Sequence, residues 1–103
     1  MSVVVMTKFP GGKASNMESI VGKHSEALTR VSNAGREQGC LHHMFVEDTD
    51  GNVLVIDEWD SRESFDAFFA ASQGDIGPIA ADAGVTGPPT STTYRILDTP
   101  DRF

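Results

Sequence analysis

The sequence predicts one α+β domain spanning residues 1–103, ordered β-α-β-β-α-β, with four antiparallel strands and the helices on one face of the sheet. Three observations lead there. Short runs of β-branched and apolar residues fall near the start, middle and end of the chain. Two stretches between them repeat their apolar residues at three- and four-residue spacing. A length of 103 residues supports one modest core but not two.

Residues 3 to 9, "VVVMTKF", are predicted as the first strand, stopped by "PGG" at 10 to 12. Ser15 and Glu18 then form an S-x-x-E pattern, in which hydroxyl and carboxylate each satisfy an orphan N–H, so the first helix is predicted to begin near Asn16. Met17, Ile20, Val21, His24, Leu28 and Val31 mark its apolar face, Gly22 and Gly35 weaken it without breaking the period, and Gly39 offers a left-handed stop. "CLHHMFVE" at 40 to 47 and "NVLVIDEW" at 52 to 59 flank "DTDG", which predicts a β-hairpin. Asp60 and Glu63 signal the second helix, on which Phe65, Phe68 and Phe69 share a face before an end near Gly74. "GPIAADAG" at 77 to 84 suits a short extra helical piece opened by Pro78 and closed by Gly84, "VTGPPTST" reads as loop, and "TYRIL" at 93 to 97 makes the last strand.

This order is that of a ferredoxin-like split β-α-β unit. Two helices cover only one face of such a sheet, yet "VVVM" and "VLVI" put apolar side chains on both. In so small a chain the available cover is a second copy, so a homodimer with sheets packed face to face is expected.

A net charge of −7 and a pI near 4.7 oppose binding to a phosphate backbone or an anionic membrane surface. The amino-terminal "MSVVVMTKFPGG" lacks the basic start and cleavage site of a signal peptide, and no apolar run approaches the roughly 20 residues that span a bilayer. A cytoplasmic protein is expected, and the single Cys40, unable to form an internal disulfide, agrees with a reducing compartment.

Several motifs fail on inspection. "FPGGKAS" lacks the first glycine of a phosphate loop and has Ala14 where the hydroxyl belongs. Counted from Asp48 as a calcium loop, the sixth position is Val53 and the twelfth Trp59, so the hairpin explains "DTDGN". His42 and His43, adjacent on a strand, point to opposite faces and cannot both ligate one ion; otherwise each is a partly buried strand histidine, and no metal site is expected. Cys40 reads as a small buried residue. His24 occupies an apolar-face position aimed between helix and sheet, either as a base suited to neutral pH or as a core histidine with one satisfied nitrogen. The phenylalanine stripe reads as core, although six Phe and four Met also suit a pocket for a small hydrophobic or aromatic molecule.

Gly39-Cys40 opening the second strand, the hairpin, "DEWDSRESFDAFF" from Asp57 to Phe69, and a final short strand together resemble the antibiotic biosynthesis monooxygenase family of dimeric α+β barrels over almost the full chain. The resemblance implies a ferredoxin-like monomer, a homodimer built by the sheets and a hydrophobic cavity between helices and sheet. It also implies an oxygenase without cofactor that helps deprotonate an aromatic phenol or quinol, whose anion then reduces dioxygen. On that basis His24 is the first candidate base and His43 the second, with Trp59 orienting or stacking on the substrate through an indole N–H free to hold an oxygen. Thr7, Phe65, Phe68, Phe69 and, if its parity points inward, Arg95 are the expected substrate-binding residues. The haem-degrading branch carries an asparagine on strand one and a tryptophan and a ligating histidine on helix two. Thr7, Phe68 and a residue near Gly77 stand there instead, so haem is not expected. Many members have His at the position of Phe68. The alternative to an enzyme is a non-catalytic dimer that binds a small hydrophobic ligand.

Overall fold

The hairpin forms around Asp48, whose Oδ1 accepts the backbone N–H groups of Asp50 and Asn52 at 2.9 Å each, while Gly51 takes φ +81°. In the computed structural model, which describes residues 2–103, eight elements follow in order. They are β1 (Val3–Lys13), α1 (Ala14–Ile20), α2 (Ser25–Gln38), β2 (Cys40–Glu47), β3 (Asn52–Trp59), α3 (Arg62–Ala71), α4 (Gln73–Asp82) and β4 (Thr90–Arg95). The four strands lie in the order β2-β3-β1-β4, antiparallel throughout, and the fold is α+β and ferredoxin-like. Among the described residues no helix is long and apolar enough to cross a membrane.

Element boundaries depart from the sequence expectations where the chain finds partners that local motifs do not reveal. "PGG" does not stop β1, which runs on to Lys13 through an irregularity after Lys8; Gly11 takes φ +83° there and the Pro10 carbonyl accepts the Thr86 N–H at 2.8 Å. The Ser15 and Glu18 capping box is not used. The first helix begins at Ala14, whose N–H is satisfied by the Gly51 carbonyl of the hairpin turn at 2.9 Å. The single long helix is instead two, separated at Val21–His24, where Gly22 has open space around it. Gly39 does end the second of them, at φ +117°.

Asp60 is not the cap of the next helix; Ser61 is, accepting the Ser64 N–H at 3.1 Å. That helix ends at Ala71, and the extra piece begins at Gln73 rather than at Pro78, which lies inside α4. The last strand is earlier than expected, because β4 pairs along β1 from Lys8 opposite Thr90 to Val3 opposite Arg95, drawing Thr90–Thr92 out of the predicted loop.

Strand alternation and pairing assign the two faces. Val5, Thr7, Val53, Val55, Asp57 and Trp59 are buried and face the helices. Val4, Met6, Met44, Ile56 and Tyr94 point the other way, with Met44 and Tyr94 each half-exposed.

Candidate active site

The core is not continuous. One buried cluster gathers Val5, Trp59, Phe65 and Phe68 between β1, β3 and α3. A second gathers Met17, Val53, Ile79 and Ala83 between β3, α1 and α4. Between sheet and helices lies a cavity of about 90 Å³, walled by side chains such as Phe9, Leu28, Val31, Phe65, Phe69 and Ile76. Four polar residues join this lining: Thr7, Ser32, His43 and Asp57. Thr7 is buried and its hydroxyl is already bonded to that of Ser91 at 3.0 Å.

His43 and Asp57 stand opposite each other on β2 and β3 and therefore share the inner face. Asp57 is only 5% exposed, and burying a carboxylate is costly unless its oxygens are bonded. Both are. Oδ1 lies 2.7 Å from His43 Nδ1, and Oδ2 accepts the indole N–H of Trp59 at 3.1 Å. A carboxylate facing Nδ1 fixes that nitrogen as the N–H donor, which leaves the Nε2 lone pair of the neutral ring available. The imidazole also meets the Phe45 ring edge-on, centroids 5.3 Å apart, so two contacts define its orientation. Among the described residues Nε2 has no hydrogen-bond partner, and the His43 side chain is 42% exposed. The imidazole thus both lines the cavity and reaches solvent.

The neighbouring pair repeats the pattern on the other face. His42 Nδ1 lies 3.0 Å from Glu58, which also accepts from Ser2 at 2.7 Å and from Arg102 at 3.3 Å. The Ser2 hydrogen bond, then that of His42, holds Glu58 below the usual carboxylate range. Thus "HH" and "DE" pair residue for residue, one histidine–carboxyl contact per face.

The expected site residues divide. Thr7, His43, Phe65 and Phe69 line the cavity. His24 does not: it precedes the first turn of α2, and its Nε2 lies 2.7 Å from Asp82 Oδ2, beside Lys23 on the same carboxylate at 2.8 Å. The helix break at Val21–His24 turned it away. Trp59 is 1% exposed with its indole N–H committed to Asp57, so it holds no ligand oxygen. Phe68 packs against Trp59, centroids 5.0 Å apart, and stays in the core. Arg95 has inward parity beside Val3 but is exposed and lies outside the cavity. The Cys40 thiol is pushed up to about 11, by burial first and by the Asp57 charge second, so it is no nucleophile at neutral pH. No group of three metal-ligating side chains occurs among the described residues.

Asp57 was missed in the sequence. Alternation alone puts it on the face of Val53, Val55 and Trp59, an acid in an apolar row, and the hairpin puts a histidine opposite.

A ferredoxin-like α+β domain with a largely apolar cavity beneath its helices, and a histidine–carboxyl pair in the cavity wall, defines the class of fold and site. The chain belongs to the antibiotic biosynthesis monooxygenase family, whose model matches residues 1–73, a span that includes His43, Asp57 and Trp59 but ends at the first residue of α4. Among solved structures, it is similar to a monooxygenase from the gene ActVA-Orf6 of Streptomyces coelicolor, solved with the ligand nanaomycin D. Identity is 24%, coverage 95% of this chain and 92% of that one, and TM-score 0.59. SnoaB, a cofactor-independent oxygenase from Streptomyces nogalater, shares 17% identity, with 98% and 97% covered at TM-score 0.57. Rv0793 from Mycobacterium tuberculosis shares 22%, with 98% and 100% covered at TM-score 0.56. At these identities the likeness carries the fold. No curated protein matches the chain significantly.

Proposed function

We propose that this protein is a cytoplasmic, cofactor-independent monooxygenase of a small aromatic quinol or phenol, with His43 as the base. The observation that carries this reading is the His43–Asp57 pair in the wall of a predominantly apolar cavity. His43 Nε2 removes the proton of the acidic substrate, and the protonated ring is stabilised by Asp57, which remains a carboxylate. The electron-rich anion reduces dioxygen and forms a carbon–oxygen bond to it. Cleavage of the O–O bond leaves one oxygen on the ring and releases the other as water. For a quinol the balance is one quinol and one dioxygen giving one hydroxyquinone and one water, with no outside reductant. Dry walls keep the anion from being reprotonated by solvent before oxygen arrives. Membership of the family, and a structural neighbour described as a cofactor-independent oxygenase, support the same chemistry.

Oxygen uptake measured across a panel of hydroquinones and anthrones tests it. Saturable uptake that falls by about 10²-fold or more in His43→Ala is expected. Saturable binding of the panel with no uptake sinks the oxygenase and leaves a ligand-binding protein.

We propose also that the working unit is a homodimer joined through the outer sheet face. The half-exposed Met44 and Tyr94 beside Met6 and Ile56 are an apolar surface that water disfavours and a second copy would bury. Sedimentation should give twice the 11.1 kDa chain mass, reduced to one chain by Ile56→Glu; a wild-type monomer at micromolar concentration ends the idea.

A further inference from the structure

We infer that Trp59 is a positioning residue, acting through Asp57 to hold His43 in the one tautomer and orientation that present Nε2 to the cavity. The geometry is a row of three side chains across two strands. Trp59 and Asp57 are two residues apart on β3 and so lie on one face, and His43 lies opposite Asp57 on β2. Each carboxylate oxygen has its own partner, Oδ2 the indole N–H at 3.1 Å and Oδ1 His43 Nδ1 at 2.7 Å. A carboxylate held at one oxygen only can rotate about its last bond. The indole removes that freedom because it cannot move itself.

Trp59 is wedged between Phe65, centroids 5.8 Å apart, and Phe68, 5.0 Å apart, and is 1% exposed. A buried carboxylate with two fixed donors is preorganised, so no reorientation is needed when the imidazole takes up its proton. An indole N–H is a donor only, so this link cannot reverse and Asp57 must accept. With Asp57 a carboxylate, Oδ1 accepts as well, so His43 Nδ1 donates and the lone pair is left on Nε2.

The arrangement gives the Asp-x-Trp spacing at the end of β3 a reason beyond packing: a tryptophan chosen only to fill the corner would not need its nitrogen on the acid. The cavity's other polar residues do not compete for Asp57, since the Thr7 hydroxyl is bonded to Ser91 and Ser32 comes from α2 on the opposite wall.

The test uses the full-length protein and reads the histidine directly. Long-range proton–nitrogen NMR of wild type should find His43 with its proton on Nδ1, and the single Trp59 indole N–H resonance should titrate with the same midpoint as His43. In Trp59→Phe, His43 should become a mixture of both tautomers. Because Trp59→Phe alters a core side chain, the second arm replaces the tryptophan by its benzothiophene analogue, which keeps the shape and removes only the N–H. The same loss of the single tautomer is expected there, with Tm close to wild type. A folded analogue protein whose His43 stays wholly Nδ1-protonated, or a wild-type indole N–H that ignores the His43 titration, overturns the inference. If the oxygenase reading on which the kinetic consequence rests is correct, the analogue lowers kcat about tenfold or more with KM unchanged. The NMR arms stand whether or not any substrate is turned over, so the two readings fail separately.

Discussion

His43 Nδ1 lies 2.7 Å from the Oδ1 of Asp57, a buried acid whose other oxygen is held by Trp59. The pair is neither a surface ion pair nor a packed core contact. It joins a buried carboxyl group to a half-exposed imidazole, and the effect of a substitution depends on which of the two is altered.

Asp57→Asn separates charge from shape. The amide oxygen can still accept the Trp59 N–H, but the amide nitrogen then faces His43 Nδ1 and must donate to it, which moves the imidazole proton to Nε2. The base is lost while the fold stays, so kcat/KM on any panel substrate should fall by about 10²-fold or more with an unchanged circular dichroism spectrum. Retention of more than a tenth of wild-type activity would mean that His43 is not the base.

Phe68 and Phe69 are neighbours on α3 with different surroundings, and truncation should tell them apart. Phe68 is 7% exposed and packed on Trp59, so Phe68→Ala opens a void in the core and should cost about 3–5 kcal/mol in a urea titration. Phe69 is only partly buried, stacks on Phe65 and borders the cavity. Phe69→Ala should cost clearly less stability and change ligand affinity more.

How much of this was legible is clear from the same two residues. Spacing put Phe65, Phe68 and Phe69 on one face, but a face of a helix is wide enough to touch core and cavity together, and only packing separates Phe68 from Phe69. The strand order was readable because alternating runs and a turn of Asp and Gly are local signals. The helix break at Val21–His24 was not, since the apolar period runs through it and Gly22 reads only as a weak point in one continuous helix. His24 was misplaced for that reason. The His43–Asp57 pairing depends on hairpin register, Glu47 opposite Val53, which a one-residue slip would have undone.

Acid should weaken the fold in a defined window. The Arg30 hydrogen bond, then the Arg30 charge, lowers Asp75 despite the opposing effect of desolvation; Lys23 and then His24 lower Asp82; and Ser2 and then His42 lower Glu58. A carboxyl whose folded pKa is depressed stabilises the protein above its unfolded pKa and loses that contribution as pH falls through the folded one. These groups therefore leave stability unaffected above about pH 5 and reduce it progressively below about pH 4. Asp75→Asn should make the urea midpoint fall less between those limits and below. An identical acid profile for variant and wild type would show that the Arg30 pair contributes nothing.

Gly39 combines two demands that a double-mutant cycle can separate. It ends α2 at φ +117°, a conformation that costs an ordinary residue about 1–2 kcal/mol, and a Cβ built there would collide with the Asp60 carboxylate. The collision arises because the Asp60 N–H donates to the Gly39 carbonyl at 2.9 Å, drawing the α2–β2 and β3–α3 junctions together beside Cys40 and Trp59. Gly39→Ala should therefore destabilise by more than the backbone term alone, and in an Asp60→Ala background its cost should shrink toward that term, since the carboxylate is gone and the Asp60 N–H remains. Urea titrations of the four proteins measure the coupling. Additive costs would mean that the Asp60 side chain swings aside freely and that Gly39 is required by its backbone conformation alone.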